Sequence, residues 1–103
     1  MAYYKEDWTT RVGCWAHDRD LIAGSKPRDQ MLKLVEEMGE LANGIQKQNI
    51  DEIQDAIGDC AVVLCILASQ MGLRFDECQE AAWEEIKDRK GKMVAGVFVK
   101  EAK

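Results

Sequence analysis

Nine apolar residues in a row, Cys60 to Ala68, constrain this chain more than any other feature. The run closes a segment capped by Asp51 or a neighbour, which reads as one helix reaching about Met71, with Gly72 as the residue just past its end. A helix that is apolar on every side has to be sandwiched between neighbours. Nine residues fall far short of the roughly 20 needed to span a bilayer. In a chain of only 103 residues, a second subunit is expected to cover part of this helix.

Three further segments carry helical periodicity. The first runs roughly from Lys5 to Ile22, with Trp8, Val12 and Trp15 at i, i+4 and i+7. The second starts behind Ser25 as N-cap and Pro27 in the first turn, and runs to about Gln48. Met31, Leu34, Val35, Met38, Leu41, Ala42 and Ile45 form its apolar stripe. The fourth starts near Asp76, carries Cys78, Ala81, Ala82 and Ile86 inward, and ends at Gly91. The tail KMVAGVFVKE is rich in β-branched residues around Ala95-Gly96 and predicts a short extended or hairpin-like segment. The fold class is all-α, a four-helix bundle in an oligomer with a short extended C-terminal tail, and the chain is one domain over residues 1–103.

Composition narrows the function. An apolar fraction of 47% and a charged fraction of 32% exclude a disordered chain and a membrane protein. The net charge of −5 argues against a nucleic-acid partner, which calls for a basic footprint. The opening residues lack the basic and apolar regions of a signal peptide, so a cytoplasmic location is expected. Cys14, Cys60, Cys65 and Cys78 show no C-x-x-C spacing, and neither a disulfide framework nor a zinc site is expected.

Charge is concentrated where it costs most. At about 100° per residue, Glu36, Glu37 and Glu40 fall in one sector of the second helix, beside its apolar stripe. On the third helix Glu52, Asp55 and Asp59 fall in a narrower arc that continues into Val62 and Ile66, so Asp59 heads toward the core. Carboxylates from two helices on either side of a cleft make an oxygen-only pocket suited to Mg²⁺, with Mn²⁺ as a substitute. A di-iron bundle site requires Glu-x-x-His, and His17, the sole histidine, has no such partner and reads as a surface residue. The alternative is a solvated acidic face. Gly44 lies on the carboxylate face, where the lack of a side chain admits a ligand, whereas Gly39 and Gly58 read as close helix packing. Lys33 lies on the face of Glu40 and reads as solvated.

VEEMGELANGI followed by DEIQDAIGDCAVVL resembles the MazG-like all-α nucleoside triphosphate pyrophosphohydrolases, and the ending IKDRKGKMVAGVFVKE is similar to that of their short, single-domain, phage-type members. The resemblance runs from about Lys33 to Glu101 and implies hydrolysis of a nucleoside triphosphate to the monophosphate and pyrophosphate. It implies Mg²⁺ held by E-E-x-x-E and a later E-x-x-D. Glu36, Glu37 and Glu40 match the first motif and Asp59 the final aspartate. Ala56 stands where the family has glutamate; Asp55, about 40° from Asp59 around the helix, is the expected substitute, with Glu52 a more remote one. The expected catalytic set is therefore Glu36, Glu37, Glu40 and Asp59, with Glu37, Glu40, Asp55 and Asp59 as metal ligands and Glu36 either binding a second metal or orienting water. Lys87 and Lys90, in a segment resembling the family's basic region, are expected on phosphates. Glu84 replaces an asparagine frequent in relatives.

Trp8, Trp15 and Trp83 are candidates for stacking on a base or for the core, and no base-binding residue is assigned. The substrate is expected to be a canonical or modified (deoxy)nucleoside triphosphate, with a leaning to dGTP, and the assembly a homodimer or homotetramer. The competing reading, motivated by Ala56 and Glu84, is an inactive helical module that binds a nucleotide or a protein.

Overall fold

The computed structural model describes residues 5–102. Its order is α1 (Trp8–Asp18), α2 (Pro27–Lys47), α3 (Ile50–Gln70), α4 (Phe75–Ile86), then β1 (Gly91–Val94) and β2 (Val97–Lys100). The expected all-α architecture of four helices with an extended tail stands. Among the described residues no single helix is long and apolar enough to cross a membrane.

The helix ends follow from where backbone groups find partners. Asp7 caps α1 by accepting from Thr10 N at 2.8 Å, a bond that also holds its carboxyl below the ordinary range. Helix α1 was expected to reach Ile22 but stops at Asp18. Asp20 turns left-handed at φ 58°, while Leu21 N returns to Ala16 O at 2.9 Å and Asp20 N to His17 O at 3.0 Å. Helix α2 closes the same way, with Gln48 at φ 58° and Asn49 N on Gly44 O at 3.0 Å. Helix α3 does so at Gly72, the residue the sequence marked, with φ 74° and Leu73 N on Ala68 O at 2.8 Å.

Two caps differ from expectation. Lys26, not Ser25, is the N-cap of α2, and its N–H donates to the Asp29 carboxylate at 2.8 Å. The Ser25 hydroxyl is engaged elsewhere, with Leu21, Gln30 and Gln70. Asn49 caps α3, its side-chain oxygen accepting from Glu52 N at 3.2 Å.

Helices α2 and α3 form an antiparallel pair across the short Gln48-Asn49 connection, and α1 packs on α3. The core is small: Ala16, Ala56, Val63, Cys65, Ile66 and Ala68. Four of these six lie in the run Cys60–Ala68, but Leu64 in its middle is exposed, so the run is not enclosed on every side within this chain. Gly44 is buried, and a Cβ there would sit 3.4 Å from Glu52 and Ile53 atoms, so it serves close packing of α2 on α3. Gly39 and Gly58, expected to do that, meet nothing within 4 Å.

Helix α4 leaves α3 at an angle of 101°. It ends at Ile86 rather than Gly91, because the chain turns there into the hairpin. Its start is tied down by Trp8 against Phe75, with ring centroids 5.9 Å apart, and by Arg74 to Asp76 at 2.8 Å. Beyond that start it meets solvent. Cys78, Ala81, Ala82 and Ile86, expected to point inward, are exposed, because the departing helix has no neighbour to point at within this chain. The hairpin pairs Gly91 with Lys100 through Val94 with Val97, turning on Ala95 (φ 50°) and Gly96 (φ 82°).

Candidate metal centre and adjoining cleft

Helix α2 presents Glu37 and Glu40 one turn apart, and α3 presents Asp59 opposite them. One carboxylate oxygen of each lies within 4.8 Å of the others. Glu40 is exposed, Asp59 half-buried, and Glu37 buried at 6% exposure. Glu37 Oε1 sits 3.4 Å from Lys33 Nζ, while its Oε2 is buried with no hydrogen-bond partner among the described residues. Lys33 is thus more than a solvated cation, and its pKa is raised by Glu36 first and then Glu37. Burial pushes the Asp59 carboxyl up from its ordinary 3.8, and the charges of Asp55 and Glu37 push it further. The Cys60 thiol is raised by burial, then by Glu37 and Asp59, which keeps it protonated.

Two hollows flank the cluster. A smaller one of about 250 Å³ is lined by Glu40, Asn43, Glu52, Asp55 and Ala56. Ala56 is 2% exposed and is the one apolar residue lining a hollow otherwise bounded by three carboxylates and the Asn43 amide. A larger cleft of about 480 Å³ carries Glu36, Glu37 and Asp59 together with Trp15, Gln30 and Ile66. Of the residues expected from sequence, Glu37, Glu40 and Asp59 are brought together. Asp55 stands beside Asp59, and Glu36 lines the cleft. Lys87 and Lys90 line neither hollow. Lys87 pairs with Glu84 at 2.6 Å, and Lys90 faces a separate groove with Arg89 and Lys100.

Sequence reasoning missed Asn43, Gln30 and the ion pair of Lys33. The i,i+4 spacing of Lys33 and Glu37 was the available signal for the last. Gln30 has no comparable mark.

The donor set fits a hard divalent cation. All three ligand atoms are carboxylate oxygens, and a buried carboxylate oxygen without a partner is costly unless a proton donor or a cation meets it. Fold and cluster together define an all-α protein with an interhelical carboxylate centre beside a cleft. The family model described as the MazG nucleotide pyrophosphohydrolase domain matches residues 26–94, about two thirds of the chain. The chain belongs to that family, whose fold serves hydrolysis of nucleotides and whose members typically depend on a divalent metal. It is also similar to an uncharacterized 18.2 kDa protein in the rep-hol intergenic region of Haemophilus phage HP1 (strain HP1c1), with 54% identity over 56 residues. That stretch is 54% of this chain and 34% of the phage protein, so the match spans about a third of the relative's length. No solved structure matches.

Proposed function

We propose that this chain, one MazG-like domain over residues 1–103, is a Mg²⁺-dependent pyrophosphohydrolase that converts a (deoxy)nucleoside triphosphate to the monophosphate and pyrophosphate. The observation that carries the reading is Glu37 Oε2, buried without a partner in a three-carboxylate cluster. A bound divalent cation supplies charge neutralisation for the triphosphate and a more acidic water for in-line attack at the α-phosphorus. Glu37, Glu40 and Asp59 hold that cation, with Asp55 as the fourth ligand in place of the glutamate missing at Ala56. Glu36, at the open side of the cleft, orients the attacking water and accepts its proton. Lys33 balances part of the negative charge. Lys87 and Lys90 hold phosphates.

Because Lys87 and Lys90 lie apart from the acidic hollows of their own chain, they act on those of a neighbouring copy. The exposed surface supports a homodimer or homotetramer. A folded monomer of 11.7 kDa exposes about 5,900 Å². This chain exposes 7944 Å². The excess of roughly 2,000 Å² is what a permanent subunit interface removes. Met31, Val35, Met38 and Ile45 on α2, with Trp83 and Ile86 on α4, supply the apolar part. The reaction belongs to nucleotide-pool control in the cytoplasm, with dGTP the favoured substrate.

The test is product analysis with eight common ribo- and deoxynucleoside triphosphates and Mg²⁺, comparing wild type with Glu40→Ala. Monophosphate and pyrophosphate from the wild type, with loss of at least 100-fold in the variant, is the expected result. Ala56 favours a second reading, a helical module that binds a nucleotide or protein without turnover. Stoichiometric nucleotide binding with no product would establish it and end the first.

A further inference from the structure

The larger cleft has two chemically distinct ends. Glu36, Glu37 and Asp59 occupy one, while Trp15, Leu21, Val62 and Ile66 make the other apolar and aromatic. Two polar side chains line the cleft at the start of α2, and the Asp29 carboxylate is already taken by the N–H of Lys26, which leaves Gln30. Gln30 is 8% exposed, and its orientation is dictated by hydrogen bonds rather than by packing alone. The Ser25 hydroxyl donates to Leu21 O at 2.7 Å, which uses its only proton, so it can only accept from other groups. Gln30 therefore faces Ser25 with its amide nitrogen, at 2.9 Å. Gln70 on α3 does the same at 2.9 Å and also donates to Ser25 O at 3.0 Å, locking the hydroxyl from below. The carbonyl oxygen of Gln30 is left without a hydrogen-bond partner among the described residues, in a side chain that lines the cleft.

The spacing suits a nucleotide. Gln30 and Glu37 are seven residues apart on α2, about 10 Å along the axis, which is comparable to the reach from the α-phosphorus to the far edge of a base. Trp15 is held in place by Arg19, whose guanidinium lies 4.7 Å from the ring centroid and covers one face. The rest of the indole is left to the cleft, where a base can stack or pack on its edge.

The geometry points to a base-reading subsite at the apolar end of this cleft: Trp15 packs against the nucleobase and Gln30 Oε1 accepts a hydrogen bond from a ring or amino N–H of it. The ligand class is the base of the same (deoxy)nucleoside phosphate, so the inference rests on the proposed function and adds where the base is recognised. A base whose facing N–H is replaced by N-methyl leaves the Gln30 oxygen unpaired and is rejected.

Two measurements on the full chain separate this subsite from the catalytic reading. The first titrates nucleoside monophosphates without metal, following tryptophan fluorescence, in wild type, Trp15→Leu and Gln30→Met. The second measures kcat and KM for the preferred triphosphate and a second base, with inorganic tripolyphosphate as a competitor that lacks a base. Gln30→Met is expected to weaken the preferred nucleotide by about tenfold in Kd and KM, leave kcat nearly unchanged and flatten the preference between bases. Inhibition by tripolyphosphate should be the same in all three proteins. Trp15→Leu should remove the fluorescence response and likewise weaken the nucleotide, which keeps a decisive variant if Gln30→Met fails to fold. Unchanged affinity and base preference in folded variants overturns the subsite. A wild type that turns over no triphosphate ends the catalytic reading alone. Monophosphate binding lost in Trp15→Leu still upholds the subsite then, and no binding overturns it.

Discussion

Glu37→Gln should stabilise the metal-free protein, although it alters a buried residue. In the wild type the Glu37 and Asp59 carboxylates come within 4.8 Å, and Glu37 Oε2 has no partner. At that separation two unit charges repel by ~3.5 kcal/mol for an effective dielectric of about 20. An amide removes the repulsion, keeps one acceptor for Lys33 and gives Asp59 a donor. The loss is the charge of the Lys33–Glu37 pair, whose lysine is half-exposed and whose contribution is at most about 1 kcal/mol. The net gain is therefore ~2 kcal/mol, or roughly 10 °C in Tm for a domain of this size. Thermal melts followed by circular dichroism, in EDTA and in excess Mg²⁺, measure both halves of the argument. The wild type should melt low in EDTA and rise with Mg²⁺, by ~2.7 kcal/mol at a hundred times Kd. The variant should start higher and not respond. A variant that melts lower than wild type in EDTA, or still responds to Mg²⁺, would refute the account of Glu37 as a metal ligand held at electrostatic cost.

The Asp59 carboxyl is raised above 3.8, by burial and then by Asp55 and Glu37, so its contribution is present at low pH and lost as pH rises through the folded-state value. Asp7 and Asp76, held low by Thr10 and by Arg74, contribute in the opposite sense and only near and below 3.8. Metal-free wild type should thus gain Tm on acidification above that window, and Asp59→Asn should flatten the slope. Size-exclusion chromatography with light scattering should find a dimer or tetramer, and Met38→Lys, at an exposed site on α2, should shift it toward monomer. Ala56→Glu places a carboxylate beside the hollow of about 250 Å³ that Asp55 and Glu52 line. It should lower Tm in EDTA and tighten Mg²⁺, read by calorimetric titration, and equal Mg²⁺ affinity would show that Asp55 already fills the role.

Periodicity located all four helices because each carries an apolar stripe at helical spacing, although those of α2 and α4 are largely exposed in this chain. The i,i+3 spacing of Glu37 and Glu40, with Asp59 facing them, was legible as a carboxylate cluster. What it missed has identifiable causes. Gly72 announced its left-handed turn, but Asp20 and Gln48 adopt the same conformation with side chains that carry no such signal. Ser25 has every local qualification for an N-cap and is diverted by Gln70, 45 positions away in sequence. Cys78, Ala81, Ala82 and Ile86 of α4 read as inward and are exposed, because apolarity at helical spacing does not say which surface a helix meets. Gln30 was invisible because its role depends on a proton count at Ser25, which only the assembled network decides.

The short Gln48-Asn49 link between α2 and α3 has a consequence for how the centre comes into being. Every carboxylate assigned to it, from Glu36 to Asp59, lies within one helical hairpin, so the loop to be closed is short and the contacts are local. Local contacts of this kind favour fast formation, so one hairpin brings the carboxylates together without gathering them from distant segments. The carboxylate cluster is thus contained in one contiguous stretch of chain, and α1, α4 and the β-hairpin contribute no residue to it.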